Sequence, residues 1–327
     1  MECLTNLVGF DDCSVGVEPY KINHFLPANQ LQELLHSGYT TVNNWVTATK
    51  KFASDRLIQD VLKAISPQVH MDTLLENGVA GRFNDNKIAT TASSYAGIKI
   101  EYWDDRAYVK LRINKISFYG NYTGNIDFKV IDLMNGEELR SETVAVEAGK
   151  VSSKVVSIEV PVAMREADIA IVYDASAITS YKTTIAYNGC ASCSNSRSVS
   201  RHATFSGVNL VSPFLLINGS SRNDTAGLSI EFSWLCDQAQ WVCSISGALG
   251  LAMLYKTCYE LLHSSLDSGS QFSNQQTTNY EQNVERMKSF EYNYIEELKK
   301  VITRVRIPDN KCFECNGRLA VRNRLPG

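Results

Sequence analysis

The 327-residue sequence contains no long apolar run. Its most apolar helical stretch, residues 245–255, is too short to cross a bilayer core of roughly 30 Å, so no membrane insertion is expected. An excess of one charge is missing too. Lysine and arginine total 32 against 35 aspartates and glutamates, for a formal net charge of -3 and a pI near 6.0. That balance argues against nucleic acid or an anionic membrane as main partner, and no sequence-specific nucleic-acid binding is expected. Only the tail, with Arg318, Arg322 and Arg324, is locally basic. The opening MECLTNLVGF lacks the cationic region of a secretory signal, which leads to the expectation of a soluble chain of cytoplasmic origin. Catalytic signatures are missing as well: there is no G-x-S-x-G, no Walker loop and no dinucleotide fingerprint. The histidines His24, His36, His70, His202 and His263 stand singly, without an i,i+4 pair, and each reads as a surface or packing residue. Asp11-Asp12 and Asp104-Asp105 could bind Ca²⁺, but adjacent carboxylates are more often solvated turn residues. The expectation is a protein that is not an enzyme.

What is present, above all, is a series of strands between residues 97 and 187. Val109, Leu111 and Ile113 alternate with polar neighbours, the period-two pattern of a half-buried antiparallel strand. After Asn114-Lys115 the apolar phase moves to Ile116 and Phe118, which predicts a β-bulge or a change of sheet. Ile126, Phe128 and Val130 follow, then Asn135-Gly136, a strong hairpin signal. Val144/Val146, Val156/Ile158/Val160, Ile169/Ile171/Tyr173 and Tyr181/Thr183/Ile185/Tyr187 continue the series. Residues 228–234 alternate cleanly and add another strand. Short strands at this spacing predict an antiparallel β-sandwich of jelly-roll or immunoglobulin type.

Helical periodicity dominates on either side. A short helix is expected near 30–35, and a long one over 41–65, where Val42, Trp45, Val46, Thr49, Phe52 and Ala53 begin a stripe that Ser66-Pro67 ends. Two more long helices are expected over 239–266 and 280–305. In the second, Tyr280, Val284, Met287, Tyr294, Leu298, Val301 and Val305 form nearly a heptad seam, with Glu291 in a skipped position. The 41–65 stripe needs a partner, and the hairpin of the last two helices is the natural one. The economical fold is therefore α+β. A helical domain built from residues 1–66 and 236–327, carrying the C-terminal C-x-x-C tail, holds an inserted β-sandwich at 86–235.

Two groups of side chains invite chemistry. Four of the nine cysteines form the C-x-x-C pairs Cys190/Cys193 and Cys312/Cys315. Four thiolates suit tetrahedral Zn²⁺, so one candidate is a structural zinc site shared by both pairs. The plainer reading is two unrelated pairs, free or closed locally. Cys3, Cys13, Cys236, Cys243 and Cys258 read as buried apolar thiols, and interlocking disulfides are not expected of a chain made in a reducing compartment. The second group is Tyr102, Trp103 and Tyr119, which with Tyr108 and Tyr122 could line a sugar-stacking face. Against this, Tyr and Trp are ordinary strand residues.

Four stretches together carry a resemblance: NLVGFDDC, YKINHFLPANQL, GLSIEFSWLCDQAQWVC and IPDNKCFECNGR. The pattern resembles virion structural proteins of tailed phages and prophages of Bacteroidota, crAss-like phages included. The resemblance implies a non-enzymatic virion component of the head–tail connector, neck or tail. Such a subunit would form a homo-oligomeric ring, of about twelve copies, against portal, ring or tail neighbours, assembled in the host cytoplasm. The alternative is a carbohydrate-binding β-sandwich module for attachment to host-surface glycans.

Overall fold

The computed structural model describes residues 2–10, 19–71, 73–84, 87–92, 94–102, 108–161, 168–185, 197–199, 203–267, 277–308, 310 and 312–315. Helices and antiparallel sheets are both prominent, so the fold is α+β. The chain divides into two compact units. A helical unit takes in Met1–Met71, Gln238–Asp309 and Phe313–Gly327, and a β unit takes in Asp72–Asp237 with Asn310–Cys312.

Among the described residues the helical unit has the α-helices α1 (Glu2–Thr5), α2 (Ala28–Glu33), α3 (Val42–Ile65), α4 (Gln238–Ser244), α5 (Ser246–Asp267) and α6 (Thr277–Arg304). Helix α3 starts where Thr41 supplies a cap, its hydroxyl accepting from the Asn44 N–H at 3.3 Å. It runs 24 residues without Gly or Pro and ends at Ile65, with Ser66 still in helical geometry at φ -53° and ψ -30° and its N–H donating to the Leu62 carbonyl. Trp45, Val46, Leu57, Ile58, Val61 and Ile65 supply its buried face. The segment expected as one helix over 239–266 is two, interrupted at Ile245, with Gly247 just inside the second. Gly250 brings the α5 backbone against the ring of Tyr20, where a Cβ would collide.

Helix α6 lies along α5, with Phe290 stacked on Tyr255 at 6.4 Å between ring centroids and edge-on to Phe25 at 6.0 Å. The expected seam is corrected here. Tyr280 is exposed, and the buried line passes through Asn283, Phe290, Tyr294 and Val301. A step of three from Met287 reaches Phe290, so that ring takes the place left to Glu291, and the first turn shifts phase accordingly. Among the described residues no helix is long and apolar enough to cross a membrane.

Eleven strands form the main sheets of the β unit: β1 (Leu74–Ala80), β2 (Tyr95–Tyr102), β3 (Val109–Tyr119), β4 (Gly124–Asp132), β5 (Glu137–Val146), β6 (Val151–Pro161), β7 (Asp168–Asp174), β8 (Arg197–Val199), β9 (Ala203–Leu210), β10 (Gly219–Arg222) and β11 (Leu228–Cys236). The seven-stranded sheet has the order β5-β4-β7-β2-β9-β8, with β10 also paired to β9, and the four-stranded sheet has the order β6-β3-β11-β1. Every pairing in both is antiparallel. In β3 the register slips on both sides between Ile113 and Lys115, so Asn114 is a bulge, and its amide donates to Ser233 Oγ at 2.7 Å. The β4–β5 hairpin turns through Gly136 at φ +71°, a left-handed geometry that glycine adopts without strain.

Aromatic rings from one sheet meet those of the other. Phe118 lies 5.3 Å from Tyr173, Tyr102 lies 5.4 Å from Trp234, and Phe205 lies 4.6 Å from Phe232. The opposite side of the seven-stranded sheet carries a smaller cluster of Ile131, Leu133, Ala170, Val172, Val208 and Leu210, against which Tyr95 and Phe214 pack. The β unit begins earlier than the expected residue 86, because residues 74–80 form the edge strand β1. Residues 180–184 give only two short strands, Ser180–Tyr181 and Thr183–Thr184.

Candidate functional site

The zinc candidate is corrected first. Cys312 is bonded to Cys236, with Cα atoms 5.5 Å apart, so its sulfur is not a free thiolate. A site made of Cys190, Cys193, Cys312 and Cys315 would need that bond broken. Cys190 and Cys193 lie outside the described residues; Cys315 is described only as backbone, in a short strand (Glu314–Cys315) paired with Val69–His70. Among the described residues no group of three or more His, Cys, Asp or Glu is placed to hold a metal. A second disulfide joins Cys3 of α1 to Cys243 of α4, with Cα atoms 5.6 Å apart. The expectation of buried free thiols therefore fails for Cys3, Cys236 and Cys243, and holds for Cys258. That thiol is free and buried, and burial pushes its pKa up to about 12, which leaves it inert near neutrality.

The sugar-stacking face is corrected as well. Tyr102 is 4% exposed, with its ring against Trp234, and Tyr119 is 8% exposed between Phe83 and Tyr181. A ring buried in this way offers no face to a pyranose. Trp103 lies outside the described residues.

An open cleft in the helical unit has the strongest claim to a function. Its volume is about 620 Å³, within the usual range of ligand sites. One wall is α3, with Trp45, Phe52 and Arg56; the other is α5, with Lys256, Tyr259, Glu260 and His263; His36 and Tyr39 close one end. Helical spacing explains the grouping, since Phe52/Arg56 and Tyr259/His263 are each i,i+4 pairs on one face. The Arg56 guanidinium lies over the Phe52 ring at 5.2 Å, and Tyr259 lies 5.7 Å from His263. His36 Nδ1 accepts the Gly38 N–H at 2.9 Å, which in the neutral ring leaves the proton on Nε2. His36 also meets Tyr39 edge-on at 5.6 Å.

The side of this region around Lys256 is polar, and its charges are paired. Lys256 Nζ lies 3.3 Å from Glu260 and 3.8 Å from Asp60, and over the Tyr294 ring at 4.8 Å. The Tyr294 hydroxyl donates to Asp60 Oδ2 at 2.6 Å. Burial raises the Tyr294 pKa, and its hydrogen bond to Asp60 raises it further. The indole N–H of Trp45 donates to Ser264 Oγ at 3.2 Å, tying α3 to α5.

The mouth is different. Phe52 is 47% exposed and Tyr39 36%. Among the described residues no carboxylate pairs with Arg56. The cleft therefore has the chemistry to hold an apolar or aromatic group accompanied by negative charge. Sequence reasoning placed Phe52 on a core stripe and set His36 and His263 aside one by one. The i,i+4 pairing of an aromatic with a cation on α3 was the available signal.

No family model and no curated protein matches the chain. Among solved structures, it is similar to the structure of infectious bursal disease virus Gt strain, at 11% identity and TM-score 0.16. That match covers 51% of this chain and 40% of the other. A second match is the infectious bursal disease virus VP2 subviral particle, at 11% identity and TM-score 0.16, covering 56% and 50%. The matched part thus spans half or less of those proteins. Values at this level are in the range of unrelated folds and carry no weight for fold or function.

Proposed function

We propose that this protein is a non-enzymatic structural subunit of a virion. It forms a ring in the head–tail connector, neck or tail of a tailed phage, against copies of itself and neighbouring portal, ring or tail proteins. The two sheets of the β unit are read as a β-sandwich of jelly-roll or immunoglobulin type, carried by the helical unit. One observation supports an assembly role above the others. Every exposed Phe or Tyr among the described residues, namely Tyr39, Phe52, Tyr280 and Tyr292, lies on the helical unit. Exposed aromatics are costly in water and are enriched where proteins meet, so their confinement to one unit marks it as the associating one. The resemblance to phage virion proteins supplies the setting. Negative-stain microscopy of the purified chain is the test: closed rings of uniform diameter are expected, and particles that stay monomeric under assembly conditions would refute the reading.

A further inference from the structure

Two surfaces of the helical unit complement each other, yet one molecule cannot bring them together. The first is the cleft mouth, where Phe52 and Tyr39 present ring surface beside an Arg56 that has no carboxylate partner among the described residues. The second is the outer face of α6. There Tyr292 is 66% exposed, the most exposed aromatic among the described residues, and Ile295 is exposed one turn on. Carboxylates share that face. Glu285 lies seven residues before Tyr292, and Glu296, four residues after it, is held only by an exposed ion pair to Lys299 at 2.9 Å. Lys288, one turn before Tyr292, and Lys299, two turns after it, also lie on this face, so Glu285 is the carboxylate of the two that has no ion pair among the described residues.

Helix geometry keeps the two surfaces apart within a molecule. Tyr294 is buried beneath Lys256 of the cleft wall, where it bonds Asp60. Tyr292 is two residues earlier and so points roughly 200° around the helix from it. The α6 knob therefore faces away from the cleft of its own chain. The exposed ring and Glu285 of one surface match the ring surface and the carboxylate-free guanidinium of the other.

We propose that the cleft takes the Tyr292 side chain of a second copy of this chain, Ile295 packing at the rim and an α6 carboxylate facing Arg56. The contact uses different patches on the two partners, so it is head-to-tail, and repeated contacts close into a ring when the rotation allows. This inference rests on the assembly reading above and names its two surfaces.

The experiment is complementation by mixing, read by sedimentation velocity on the full chain. Tyr292→Ala removes the knob and Arg56→Glu spoils the cleft. Both positions are exposed, so melting temperatures should match the wild type. Each variant alone should self-associate at least about tenfold more weakly than the wild type, as expected for loss of a central aromatic or charged contact. An equal mixture should form heterodimers, because an intact cleft on one variant meets an intact knob on the other. Variants that associate like the wild type, or a mixture that shows no heterodimer, would overturn the contact. Rings that persist in both variants would overturn this contact and leave the ring reading standing. Mixing-dependent dimers without wild-type rings would uphold the contact and remove the ring. A wild type monomeric at every concentration would remove both.

Discussion

Phe118, Phe128, Phe205, Phe232 and Trp234 are sealed inside the β unit, while on the helical unit Phe52 and Tyr292 stand in solvent. The exposed large hydrophobics of the β unit, among them Val155, Ile217 and Met134, are all aliphatic. The contrast separates two uses of one residue type. In the β unit rings fill a core whose stability comes from burial; in the helical unit some rings are left outside the core, and the proposed assembly would bury them. The polar groups follow the same division. Arg222 and Asp224 form an ion pair 3.0 Å long in the β unit, with both side chains about nine-tenths buried. In the helical unit, Arg56 stays open at a cleft mouth.

The largest effect expected concerns the two disulfides, one in each unit. Cys3 and Cys243 are 240 residues apart in sequence, and Cys236 and Cys312 are 76 apart. Loop-closure entropy assigns about 5.5 kcal/mol to the first bond and about 4.5 kcal/mol to the second. Cys3→Ser should therefore be paid mainly by the helical far-ultraviolet signal, and Cys236→Ser by the near-ultraviolet signal of the buried aromatics. Urea denaturation with both probes checks this. Equal loss in both signals from either variant would break the distinction between units.

A second comparison sets one phenylalanine against another. Phe232→Ala opens a cavity beside Phe205 and Trp234 and should cost about 3–5 kcal/mol of stability. Phe52→Ala removes a half-exposed ring and should change stability by no more than about 0.5 kcal/mol, while weakening self-association. Denaturant midpoints give the first quantity and sedimentation gives the second. A Phe52 variant as unstable as the Phe232 variant would show that the cleft mouth is ordinary core.

Much of the fold could be read before any coordinates. The phase change after Ile113 announced a bulge or a change of sheet, and the bulge at Asn114 is what the register shows. Asn135-Gly136 announced a hairpin, and Thr41 with Pro67 bracketed α3. Strand β1 escaped notice because Glu76 and Asn77 interrupt its alternation. Its partners lie at residues 230–235, far along the chain, and local pattern carries no such information. Disulfide partners escaped for a related reason, since spacing alone does not determine connectivity. The candidate site was legible only as scattered residues. Periodicity put Phe52 on the apolar stripe of α3, but whether a neighbour covers that part of the stripe depends on where α5 lies.

The smallest expected effect probes the hinge between covered and open chemistry, at Tyr294 and Tyr292. Tyr294→Phe removes one hydrogen bond to Asp60, a group partly open to water, and should cost about 1 kcal/mol at neutral pH. Its pH signature is more distinctive than its size. In the folded chain the Tyr294 pKa lies above the ordinary value of 10.0, so the phenol keeps its proton after the unfolded chain has begun to lose its own. The unfolded state then binds fewer protons, and stability falls as pH rises beyond 10. Tyr173, whose pKa burial pushes up to about 12, contributes a fall of the same sign from the β unit. Tyr294→Phe should flatten only the helical unit's share of that loss, and Tyr173→Phe only the β unit's, when melting temperature is followed between about pH 8 and 11. Tyr292→Ala should change the melting temperature by no more than a surface substitution does, because its ring is 66% exposed. A loss of stability like that of a core ring in that variant would mean that Tyr292 is covered within its own chain, and the outward knob would be lost.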